Sequence, residues 1–144
     1  MSFRRVVSHL LAWAGVFLFW LFATRQFHPR LGIALAATAI LVSASALAVY
    51  LDRLWLRPQL APRRLSWQYV ASLVASVLTL DVLAVVSIQL VYGWLWHPDP
   101  LRFGFWFNVA SDGFIIALHL AAAWGVMWIA SLLRGKRSPL AIED

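Results

Sequence analysis

No cysteine occurs in this 144-residue chain, which excludes disulfides, thiol nucleophiles, thiolate-bound metals and iron–sulfur clusters. Charge is scarce as well, with Asp, Glu, Lys and Arg together making 12% of the residues and hydrophobic residues 62%. A water-soluble domain does not have that composition; a membrane protein does. A nucleophile triad, a phosphate loop, an HExxH pair and a dinucleotide fingerprint are all missing. The chain is therefore expected to be no enzyme, with no cofactor and no metal.

What is present is apolar length. Four stretches, roughly Val6 to Thr24, Leu31 to Leu51, Gln68 to Gly93 and Phe107 to Leu133, occupy most of the chain. At ~1.5 Å per residue each covers the ~30 Å hydrocarbon core of a bilayer. The first follows Arg4 and Arg5, as a signal peptide would, but its apolar run is too long and Leu21 too large for a cleavage site, so a retained signal anchor is expected. The sequence thus predicts an all-α integral membrane protein, a single domain of four antiparallel transmembrane helices. Of the twelve basic residues, Arg4, Arg5, Arg53, Arg57, Arg63, Arg64, Arg134, Lys136 and Arg137 fall on one side, against Arg25, Arg30 and Arg102 on the other. Because Lys and Arg collect on the cytoplasmic side, both termini and the middle loop are expected there, in a bacterial inner membrane. Tryptophan placement agrees: Trp20, Trp94, Trp96 and Trp106 mark the outer interface, and Trp55, Trp67 and Trp128 the inner one. The net charge of +6 is spread along these boundaries, so anionic lipid headgroups rather than nucleic acid are the expected partners.

The second stretch is rich in Gly, Ala and Ser from Gly32 to Ala48, and small side chains let helices approach closely where lipid supplies no hydrophobic drive. It is expected in the middle of the bundle. Ala71 and Ala75 on the third helix, with Ala117, Ala121 and Gly125 on the fourth, offer similar contact stripes. Between the second and third helices, Pro58 and Pro62 are expected to stop any helix. The segment reads as a membrane-anchored elbow whose Arg53, Arg57, Arg63 and Arg64 snorkel toward headgroup phosphates.

Ionisable groups inside the hydrocarbon need a partner or a purpose. Counted from the helix starts, Asp81 and His119 both fall near mid-membrane and are expected to share a hydrogen bond, with Gln89 opposite Asp112. Asp81, Gln89, Asp112 and His119 thus form a candidate intramembrane polar cluster. It reads either as a proton- or ligand-responsive site or as a bond that fixes helix register. A proton path would need further groups, for which Ser72, Ser76, Thr79 and Ser87 are available on the third helix. His9 lies too far in depth from His119 to share a haem with it. His28, His97 and Asp99 could meet outside as a zinc set, although the spacing is no recognised motif and His-Pro pairs commonly form turns.

The run Tyr50, Leu51, Asp52, Leu56 and Pro58, followed by Arg63, Arg64, Trp67 and Tyr69, resembles the membrane region of LytS-type sensor histidine kinases. In that family a helix ends in such a pattern before a basic patch and an aromatic residue. The resemblance implies a four-helix sensor module. After Leu133 this sequence has neither a phospho-acceptor segment nor an ATP-binding domain, so kinase activity is not implied. The expected function is a non-enzymatic sensor-like or regulatory interaction module that acts on a membrane protein partner or as a homo-oligomer. The alternatives are a small accessory subunit of a larger membrane complex and a homodimeric small transporter built around Asp81, Asp112 and His119.

Overall fold

A computed structural model describes residues 3–60, 67–95 and 104–135 of the chain. Of these residues 97% are helical. Each apolar stretch lies inside a helix: α1 (Phe3–Thr24), α2 (Leu31–Leu51), α4 (Trp67–Leu95) and α5 (Phe105–Gly135), with a short α3 (Arg57–Leu60) after α2. Backbone polar groups have no water to bind in hydrocarbon, so an apolar chain satisfies them within each helix. Four helices are long and apolar enough to cross a membrane, as in a multi-pass membrane protein.

Four hydroxyls within the spans follow the same rule. Ser45, Ser76, Thr79 and Ser87 each donate to the carbonyl four residues back, at 2.7–3.0 Å. Ser76, Thr79 and Ser87, considered above as helpers of a proton path, are thereby bound to their own helix.

Between α1 and α2 the chain turns through a 3-10 turn at Arg25–Phe27. The Arg25 guanidinium donates to the His28 carbonyl at 2.9 Å, and extended backbone at Arg30 opens α2. At the other end of α2 the helix does not stop before Pro58. It widens into a π-helical turn at Asp52–Leu56 and runs on through Pro58 to Leu60, which corrects the expectation that this proline ends it. Proline lacks an N–H, and its ring crowds the carbonyl four residues back. One wide turn ahead of it absorbs both defects.

α2 is the enclosed helix, with 56% of its span buried, against 17% for α4, 11% for α5 and none for α1. The helix with the most small residues is thus the one its neighbours surround. Leu41, Ala44, Ala48, Ala84 and Ile116 form one apolar cluster among α2, α4 and α5, and Ile33, Ala37, Ile88 and Tyr92 form a second between α2 and α4. α1 packs mainly on α2 and reaches α5 through Trp13 and Trp20.

Candidate functional site

The π-helical turn sets up a polar assembly that spans three helices. On a regular α-helix, residues five apart point roughly 140° away from each other. Here the Arg57 backbone N–H donates to the Asp52 carbonyl across the widened turn, and Arg57 comes back over Asp52. Its guanidinium pairs with Asp52 Oδ2 at 3.1 Å. The Tyr69 hydroxyl on α4 donates to Oδ1 at 2.6 Å, and the Trp124 indole N–H on α5 donates to Oδ2 at 2.9 Å. The Arg57 guanidinium also lies over the Trp124 ring, 5.3 Å from its centroid. Asp52 is 1% exposed, so its charge is met wholly by protein groups from the α2–α3 segment, α4 and α5. This clasp joins three helices at a single carboxylate.

Arg57 is therefore half-buried and bound inward, whereas Arg53 is exposed as a headgroup contact requires. Arg63 and Arg64 lie outside the described residues.

A second assembly ties α1 to the rest. The Trp13 indole donates to the Tyr50 hydroxyl at 3.0 Å, and that hydroxyl also shares a hydrogen bond with His9 Nδ1 at 3.0 Å. Seven residues further along α1, the Trp20 indole donates to His119 Nε2 at 3.1 Å. His119 Nδ1 donates to the Ile115 carbonyl at 2.8 Å, which fixes the tautomer and occupies both ring nitrogens. Trp20, expected as an interfacial ring, is thus turned into the bundle. At the opposite end of the bundle from the clasp, His28 Nδ1 and the Tyr92 hydroxyl form a hydrogen bond. All three tyrosines of the chain reach across to another segment with their hydroxyls: Tyr50 to α1, Tyr69 to the π-helical turn and Tyr92 to the turn before α2.

Asp81 stands apart. It is 1% exposed, and neither carboxylate oxygen has a hydrogen-bond partner. The expected bond to His119 does not form, because the register of α4 against α5 differs from a count made from the helix starts. Gly113, not His119, faces Asp81: a Cβ at position 113 would stand 2.9 Å from Oδ2. The shared contacts of Tyr69 and Trp124 with Asp52 give the same register independently. In it Asp112 lies at the level of Asp81 and within electrostatic range of it, while Gln89 is eight residues, or ~12 Å, further along α4. The four expected cluster members thus separate: His119 belongs to the α1 attachment, Asp81 and Asp112 share a level, and Gln89 is half-buried elsewhere.

Reasoning from sequence placed Asp52 in an elbow and missed it as a hub, and it missed Gly113 and Trp124 as partners. An aspartate in an otherwise apolar and basic run, five positions before an arginine, was the available signal for Asp52. Among the described residues, no group of three or more His, Cys, Asp or Glu side chains is arranged to hold a metal ion. Of the zinc set considered above, His97 and Asp99 lie outside the described residues. No family model, curated protein or solved structure matches the chain.

Proposed function

We propose that the chain is a non-enzymatic bacterial inner-membrane protein, a bundle of four antiparallel transmembrane helices with both termini in the cytoplasm, acting as a sensor-like or regulatory interaction module. The observation that carries this reading is the Asp52 clasp, in which one buried carboxylate holds α2, α4 and α5 together on the arginine-rich side. A displacement of any one of the three helices changes the bonds of the other two there. That is what a module needs in order to pass a change within the bilayer to its cytoplasmic side. The resemblance of the run from Tyr50 to Pro58 to LytS-type sensors supports the same role, since Asp52 belongs to that run. The antiparallel arrangement is supported by pairings of early with late helix positions: His9 and Trp13 with Tyr50, Asp52 with Tyr69, and His28 with Tyr92.

The deciding experiment is affinity purification of the tagged chain from native membranes in mild detergent, followed by mass spectrometry. A kinase, response regulator or transporter recovered in stoichiometric amount, and lost with Trp124→Phe, supports the regulatory module. A large multi-subunit complex that survives Trp124→Phe shows an accessory subunit instead. Recovery of the chain alone as a homo-oligomer removes the partner from the proposal. Orientation is checked separately: the chain lacks cysteine, so single cysteines introduced near either terminus can be labelled cleanly, and both are expected to react from the cytoplasmic side.

A further inference from the structure

Asp81 lies midway along α4 with both oxygens buried and unbonded. A charged carboxylate in hydrocarbon needs donors or a counter-charge, and the surrounding helices supply neither. Between Arg30 and Tyr50, α2 carries no ionisable side chain, and between Tyr69 and Tyr92 α4 carries none besides Asp81 itself. From α5, Asp112 adds a like charge, and His119 has both nitrogens engaged by Trp20 and Ile115. The pairings His28–Tyr92 and Asp52–Tyr69, just beyond either end of α2, place Thr38 within about one turn of the same level. Its hydroxyl is also buried without a hydrogen bond.

The contact at Gly113 decides what can neutralise the group. With a Cβ position 2.9 Å from Oδ2 and 3.3 Å from Cγ, the α5 backbone lies against the carboxyl, and it can do so because residue 113 has no side chain. That leaves no room on this side for the several oxygen ligands a metal cation requires. A proton needs no such room.

We propose that Asp81 is a proton-binding site at the α4–α5 contact. The carboxyl is held there in its neutral, proton-loaded form while Gly113 covers it. Release of the proton to water leaves a carboxylate that the closed contact cannot accommodate, so α5 must move off α4 for water to reach the oxygens. Protonation of one side chain thereby sets the separation of the two helices.

The test is infrared spectroscopy of the full chain in liposomes at neutral pH. A carboxylic-acid carbonyl band is expected, shifted by aspartate labelled with carbon-13 at the side-chain carboxyl, lost in Asp81→Asn and retained in Asp112→Asn. The carbon-13 label gives a reading even where Asp81→Asn fails to fold, and Asp81→Glu, which keeps the acid, is expected to shift the band rather than remove it. Gly113→Ala is expected to speed the deuterium shift of the band in heavy water, because it pries the contact open. Absence of the band at neutral pH, its loss in Asp112→Asn rather than Asp81→Asn, or a carboxylate signal that responds to added sodium would each overturn the proposal.

Discussion

Tyr69 gives the Asp52 carboxylate one of its donors, and Tyr69→Phe deletes that donor while keeping the ring. The loss is expected to be about 1 to 2 kcal/mol, between the modest value of interhelical hydrogen bonds in membranes and the larger one of bonds to a charged group. Denaturant titration of the purified protein in detergent checks it. Combined with Trp124→Phe, the two losses should fail to add by at least ~0.5 kcal/mol, since both donors serve one carboxylate; strict additivity would show that the clasp does not act as a unit. Gly113→Ala tests the second carboxylate. The new methyl group meets Asp81 Oδ2, and a loss of about 1 to 3 kcal/mol is expected. In an Asp81→Ala background the same change should stabilise by roughly 0.5 to 1 kcal/mol, because the clash is gone and the helix preference of alanine remains. An equal loss in both backgrounds would assign the effect to something other than this contact.

At the scale of the helix, sequence and structure part in an instructive place. The four spans were legible because twenty or so apolar residues in a row have few other uses. Which faces meet, and in what register, was not. In a bilayer an outward face is as apolar as an inward one, so the alternation that marks a buried stripe in water is muted. Counting from apolar boundaries set Asp81 against His119. The register instead follows the Gly113 contact and the bonds to Asp52, which depend on single side chains. The π-helical turn was hidden for a related reason, since a proline reads as a stop although one extra residue ahead of it lets the helix continue. That extra residue supplies a prediction. Deleting exposed Leu54 should convert the wide turn to a regular one with Asp52 and the arginine now four apart on the same face. The ion pair is expected to persist, read as an unchanged response of the unfolding midpoint to Tyr69→Phe. If that response disappears, the wide turn itself is what positions the carboxylate.

Across the whole molecule, cohesion is uneven. α2, α4 and α5 share apolar clusters and the Asp52 clasp, while α1 has no buried stretch and is attached through Tyr50 and His119. Local opening follows such differences in contact. Tyr50→Phe deprives both Trp13 and His9 of their partner, and faster hydrogen exchange is expected in α1 with α4 and α5 unchanged. Uniform acceleration along all helices would mean that α1 is integral to the core.

The position of α2 between helices made after it also bears on biosynthesis. Translation delivers Asp52 to the membrane with Arg57 close behind, but Tyr69 follows 17 residues later and Trp124 72 residues later. The carboxylate therefore enters with a nearby cation and gains its aromatic donors in two further instalments as the ribosome proceeds. Of the three helices that meet at Asp52, α5 is made last and completes the clasp, so a nascent chain stalled before Trp124 would present a half-satisfied carboxylate to the insertion and quality-control machinery of the membrane.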